Sequence, residues 1–220
     1  MEIETARWIE IGITAGGLAL WAAALGFTLR SLREPAMPDP ENPERSLPLP
    51  ADTLAGRVEA AGRADELAPQ LIEVFARKLT GGGKFDLVER GRSHFEFTTE
   101  GGFGPRFASG RVELRPLGAE RTEAFYRVRL AGAGGARVMA WLFLALGLTA
   151  IVCGAWLILT QVAVHPNPAV RKQVFQGFQI VHFLWPPFLF AGRYRRLRQF
   201  ARSSIEGAIH NLRFLAAPRG

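Results

Sequence analysis

Three stretches of the chain are nearly free of charge, and between the first two the pattern changes to short alternations of apolar and charged residues. The first apolar stretch runs from about Ile11 to Leu29, with Trp8 and Glu10 before it and Arg30 and Arg33 after it. Nineteen helical residues span roughly 28 Å, close to the thickness of a hydrocarbon core. The acidic start and the length of the run argue for an anchor over a cleaved signal peptide. The second stretch, Val138 to Val164, is uncharged over 27 residues, more than a bilayer needs, so tilt or a protruding end is expected. The third, Val174 to Gly192, is broken in its second half by Pro186 and Pro187. As a kinked helix it is just long enough to cross. As a re-entrant segment, only Lys172 to Trp185 would be helical, which is too short.

The block between the first two stretches reads as a small soluble domain. Glu34 to Asp52 holds six prolines and predicts an extended, semi-rigid spacer. Residues 53–80 read as helix, with interruptions near Gly62 and Pro69 as an alternative. Leu67, Leu71, Val74, Phe75 and Leu79 form an apolar stripe, and Pro69 fits best near the first turn of a helix beginning around Ala64 to Glu66. Gly81, Gly82 and Gly83 end it. Four strands follow, around Phe85 to Val88, Phe95 to Phe97, Val112 to Leu114 and Ala124 to Leu130, each alternating with charge. The expected fold class is therefore an α+β membrane protein. It has three (at least two) transmembrane helices, with one helix on an antiparallel four-stranded sheet inserted between spans 1 and 2. The segments are residues 1–30 (span 1), 31–52 (linker), 53–131 (domain), 137–165 (span 2), 173–192 (span 3 or re-entrant) and 193–220 (a basic amphipathic C-terminal helix).

Charge orients this arrangement. Between Arg30 and Arg137 there are 17 basic and 16 acidic residues, whereas the tail from Arg193 carries seven arginines against Glu206 alone. A basic tail after an apolar run reads as attraction to anionic headgroups through Arg193, Arg195, Arg196, Arg198 and Arg202, with docking on the small domain as the bland alternative. No nucleic-acid recognition module accompanies it. Positive residues favour the cytoplasm, and three spans satisfy that rule with the domain and C-terminus inside and the loop around His165 outside. The expected location is the cell membrane, multi-pass.

Candidate chemistry is sparse. Gln176, Gln179 and His182 recur every three residues on one side of the third segment, a polar intramembrane face for binding or for interhelical packing. Gly12, Gly16, Ala19, Ala23 and Gly26 make a small-residue seam along the first span, suited to close helix packing with this chain or another copy. The single cysteine, Cys153, lies in an apolar run, and no metal-ligand spacing exists. Thr80 to Lys84 resembles a phosphate loop only superficially, since it follows a helix and precedes a strand. No catalytic grouping can be argued from spacing, and no cofactor is expected. The leading expectation is a non-catalytic membrane subunit or scaffold, using a cytoplasmic α+β domain for partner contact, with membrane lipids and a protein partner or homo-oligomer. The alternative binds a lipid or other amphiphile through that domain or the Gln176, Gln179 and His182 face. A transporter-like or redox role for His182 is the weakest reading.

Overall fold

The computed structural model describes residues 2–33, 37–38, 46–47, 49–162, 164–171 and 185–212. The chain is α+β, and it divides into two compact units. One comprises Met1–Arg33 with Gly135–Tyr194, the other Glu34–Gly134 with Arg195–Gly220.

The first unit is helical. Helix α1 spans Glu2–Leu32. A later helix, Ala133–Leu157, continues as a π-helical turn over Ile158–Val162 and is followed by the short helix Pro168–Arg171. The last helix, Trp185–His210, begins in this unit. Among the described residues, two helical stretches are long and apolar enough to cross a membrane, by length and composition: Ala15–Leu32 and Ala133–Val162. Rings join the helices, Phe27 against Phe188 at 5.1 Å and Phe143 stacked on Phe190 at 5.4 Å. Among the described residues of α1, the buried positions are Thr28 and Leu32. Gly16, Ala19, Ala23 and Gly26 are exposed on another side of the helix.

The second unit holds a five-stranded antiparallel open sheet. Its strands are β1 (Thr53–Ala61), β2 (Lys84–Arg90), β3 (His94–Glu100), β4 (Phe107–Pro116) and β5 (Arg121–Leu130), and helix α2 (Ala64–Lys78) lies between β1 and β2. The order across the sheet is β1-β5-β4-β3-β2. Strands β2 to β5 form a meander, and β1 pairs along its whole length with β5, from Thr53 opposite Arg129 to Ala61 opposite Arg121. The later helices are α3 (Ala133–Leu157), α4 (Pro168–Arg171) and α5 (Trp185–His210).

Helix α2 carries acids in its first turn, Asp65 and Glu66, and bases in its last, Arg77 and Lys78, the polarity the helix dipole favours. Pro69 sits within it, where it lacks an amide to return to Asp65. The stripe of Leu67, Leu71, Val74 and Phe75 is buried. Phe75 meets Phe95 and Phe97 edge-on at 5.7 and 5.5 Å, the geometry that aromatic quadrupoles prefer.

Residues opposite one another in an antiparallel pair share a face. The inner face thus collects Leu54, Val58 and Ala60 of β1, Ala124, Tyr126 and Val128 of β5, Val112 and Leu114 of β4, and Phe95 and Phe97 of β3, all buried. The outer face is charged. Arg57 pairs with Glu123, Arg111 with Glu96 and Glu113, and Arg115 with Glu113, at 2.9 to 3.7 Å. Exposed pairs of this kind contribute about 0–1 kcal/mol each, so the inner face carries the stability.

Two glycines make room on that inner face. A Cβ at Gly110 would collide with the ring of Phe97 opposite it, and a Cβ at Gly56 would collide with the ring and hydroxyl of Tyr126. The two glycine-rich connectors are also explained by proximity. Gly81, Gly82, Gly101 and Gly102 all have positive φ, and side chains at Gly81, Gly83, Gly102 or Gly104 would strike the backbone of the other connector or its flanks.

One sequence expectation is corrected. Residues 53–61 are strand, so the sheet has five strands where four were expected. Alanine, arginine and glutamate in that stretch favour helix in isolation, and Gly56 hides the alternation, but pairing with β5 overrides both. Helix α2 starts at Ala64, after Gly62, whose φ of 124° breaks the chain direction, in agreement with the start expected from Pro69. Within the described residues, Pro186 and Pro187 stand at the start of α5, and the same helix continues through the tail to His210.

Replacing Gly56 by valine is expected to destabilise the domain by about 1–3 kcal/mol through overpacking against Tyr126. Gly118→Ala, at an open turn with nothing within 4 Å, is expected to leave the melting midpoint unchanged. Denaturant melts of the full chain in detergent check both, and equal midpoints for the two variants would refute the packing role of Gly56.

Candidate functional site

The inner face of the sheet includes one polar side chain that needs a partner. Tyr126 is fully buried, and a phenol hydroxyl without a hydrogen bond there would cost roughly 1–3 kcal/mol. Its hydroxyl donates to Glu206 Oε1 on α5 at 3.0 Å. Arg202, one turn earlier on the same helix, donates its Nε to the same oxygen at 2.8 Å. A second contact holds α5, from Arg198 Nη1 to the carbonyl of Ala51 at 2.9 Å. Ala201, Ile205, Ala208, Ile209 and Leu212 on this part of α5 are all buried. Their three- and four-residue spacing is that of a helix face packed on a core.

Burial pushes the Tyr126 phenol well above its ordinary value of 10.0, and the adjacent Glu206 carboxylate adds to the rise. The neutral phenol is therefore the stable form. With no solvent exposure and a hydroxyl already committed to a carboxylate, Tyr126 is suited to holding a helix and not to proton transfer with a substrate.

Open clefts border the sheet domain. One, of about 700 Å³, lies between Asp65, Ala68 and Pro69 of α2 and the turn of Arg90, Gly91 and Arg92. A neighbouring one of about 540 Å³ extends to Pro116, Gly118 and Ala119. A third, of about 240 Å³, lies on the outer face beside Arg111, Arg127 and Arg129. Among the described residues no group of three His, Cys, Asp or Glu side chains could hold a metal ion. His94 meets Glu89 at 3.2 Å, and His210 Nδ1 meets the Glu206 carbonyl at 2.8 Å.

Of the residues singled out in the sequence, Gln176, Gln179 and His182 lie outside the described residues, and of Gly12 only the helical backbone is described. Among the described residues, a Cβ at Gly16 or Gly26 would meet nothing within 4 Å. The five tail arginines divide. Arg193, Arg195 and Arg196 are exposed, while Arg198 and Arg202 contact Ala51 and Glu206. The phosphate-like loop at Thr80 is a tight connector with Gly83 N–H donating to the Thr80 carbonyl. Sequence reasoning passed over Tyr126, Glu206 and Gly56. A signal was present, because Glu206 is the only acid after Arg193 and Tyr126 is one of two tyrosines in the chain.

No family model and no curated protein matches the chain. Among solved structures, the di-domain aromatase/cyclase BexL of the BE-7585A biosynthetic pathway aligns at 10% identity and a TM-score of 0.24, over 66% of this chain. The aligned region spans 50% of the BexL chain. The Zhui aromatase/cyclase from a Streptomyces species aligns at 14% identity and a TM-score of 0.24, over 74% of this chain and 97% of its own. Ara h 8.0201 aligns at 13% identity and a TM-score of 0.20, over 62% and 98%. At these scores the likenesses carry no argument about this protein.

Linkage gives a test of the buried phenol. Above pH 10 an unfolded tyrosine ionises while folded Tyr126 keeps its proton, so the folded state binds more protons and stability falls as pH rises from about 10 towards the folded value. Tyr126→Phe is expected to lower stability by about 1–3 kcal/mol at neutral pH and to flatten that alkaline loss. Melts across the alkaline range check it, and an unchanged alkaline slope in the variant would remove Tyr126 as the cause.

Proposed function

We propose that this chain is a non-catalytic integral membrane subunit or scaffold that crosses the bilayer three times and carries its α+β domain and C-terminal helix on the cytoplasmic side. The carrying observation is that the second half of α5 belongs to the same compact unit as the sheet, joined to it by Tyr126 and Glu206. Two parts of one packed unit lie on one side of a membrane, so the chain between Leu130 and Arg195 crosses an even number of times. Helix α3 with its continuation is one crossing. Its 30 residues reach roughly 45 Å, against a hydrocarbon core of about 30 Å. The segment between Val162 and Arg195 supplies the return.

The surface of α3 supports its place in lipid. Trp141, Leu146, Val152, Trp156 and Leu159 are exposed along it, a length of apolar surface that soluble proteins do not leave open to water. Sidedness follows from charge. Arg30, Arg33, Arg127, Arg129, Arg137 and the tail arginines then fall together, as the positive-inside bias requires. The open seam of Gly16, Ala19, Ala23 and Gly26 supports a further helix against α1, and a second copy of this chain is the partner that needs no other component.

A fluorescent reporter fused after Leu212 is expected to mature in the cytoplasm, and the sheet domain is expected to resist protease in intact cells. A reporter that scored as external would overturn the three-span topology. Gly16→Leu is expected to lower the oligomeric state of detergent-extracted protein, and recovery of the unsubstituted chain as a lone monomer would remove the partner reading.

A further inference from the structure

The outer face of the sheet contains an arrangement that strand pairing by itself disfavours. Arg111 on β4 stands directly opposite Arg127 on β5, where like charges repel. Two residues further along β5, Arg129 stands between Thr53 of β1 and Ser109 of β4. Arg127 is flanked on its other side by Ala55. These small neighbours leave the guanidinium groups around the shallow depression of about 240 Å³.

The carboxylates nearby engage two of the three arginines and leave the third. Arg111 is held by Glu96 at 3.3 Å and Glu113 at 2.9 Å. Arg129 reaches Asp52 only at 3.6 Å. Among the described residues Arg127 makes no ion pair. The depression is lined by Arg111, Arg127, Arg129 and Glu96, with the hydroxyl residues Thr53 and Ser109 beside them, and Arg127 is the guanidinium without a carboxylate among the described residues. Planar guanidinium groups set around one small basin match a tetrahedral phosphate, which each can bind through two parallel hydrogen bonds.

Chain connectivity indicates the source of that phosphate. Arg129 precedes Ala133, the first residue of α3, by four positions. At no more than ~3.6 Å per residue, the Arg129 α-carbon lies within about 14 Å of the start of that helix. The headgroup layer extends roughly 5–8 Å beyond the hydrocarbon core on each side, and an arginine side chain adds its own reach. We propose that Arg111, Arg127 and Arg129 form a binding site for the phosphate of an anionic lipid headgroup, at the end of the sheet from which the chain enters α3. The site rests on the reading of α3 as a membrane span.

The test uses the full chain in an uncharged detergent at low salt, titrated with short-chain phosphatidic acid, with short-chain phosphatidylcholine and with inorganic phosphate. Phosphatidic acid is expected to bind in preference, and Arg127→Gln to weaken it about five-fold. Arg127→Lys is expected to fall between. A structural role would act in the opposite direction, because Arg127→Gln relieves the repulsion with Arg111 and is expected to hold or raise the melting midpoint. Equal phosphatidic acid affinity in wild type and Arg127→Gln would overturn the site, as would protection by inorganic phosphate equal to that by the lipid. Should Arg127→Gln fail to fold, Arg111→Gln serves in the same titration, with loss of affinity supporting the site and none refuting it. Carbonate washing of membranes separates the underlying reading. Wild-type chain released by the wash would refute the span itself, whereas retention with no lipid preference would refute the headgroup site alone.

Discussion

A phenol hydroxyl inside an apolar core must find a partner, and in this domain the partner is supplied from the far end of the chain. Tyr126 lies on β5, and Glu206 lies on a helix separated from it by the whole of α3 and the segment that follows. Several features of the sequence depend on that one bond. Gly56 lacks a side chain because the tyrosine ring occupies the space where a Cβ would stand. Full-length pairing of β1 with β5 places Gly56 opposite Tyr126. Arg202 shares the carboxylate oxygen that accepts from Tyr126, so the carboxylate at the edge of the core is balanced by a nearby cation.

The same bond constrains topology. A helix that completes the domain's core cannot be on the other side of a bilayer from the sheet it completes. Under the proposed membrane reading, the long apolar helix between them would be one of a pair of crossings, with their parity resting on packing and not on hydropathy. Under this reading α5 serves both units in one continuous helix. Its Trp185–Tyr194 portion belongs with the apolar helices through Phe188 and Phe190, and its remainder belongs with the sheet.

The two faces of the sheet have different tasks. The inner one is committed to packing against α2 and α5, with aromatic rings of Phe75, Phe95 and Phe97 in mutual contact. The outer one is a lattice of arginine and carboxylate side chains, weak in stability but rich in binding potential. Its charge is uneven, since the carboxylates cluster about Arg111 and Arg115 while Arg127 is left over. That surplus cation lies on a strand that leads directly into an apolar helix, which is the basis of the headgroup site proposed above.

Much of this was legible in the residues themselves. Long uncharged runs identify helices long and apolar enough to cross a membrane without any knowledge of packing. The stripe of Leu67, Leu71, Val74 and Phe75 and the alternation through Phe95, Val112 and Tyr126 mark one helix and three of the strands, because burial of one face is a local, periodic requirement. Residues 53–61 were not legible in this way. Their alanines and glycine suit several backbones, and only pairing with a strand sixty residues away selects the extended one. Nor could spacing reveal that Gly56, Tyr126 and Glu206 meet, or that Arg111 faces Arg127 across two strands. Sequence periodicity reports which side of an element is buried. Which distant element buries it, and which charges are thereby brought together, is a property of register and chain return, and those exist only in the folded molecule.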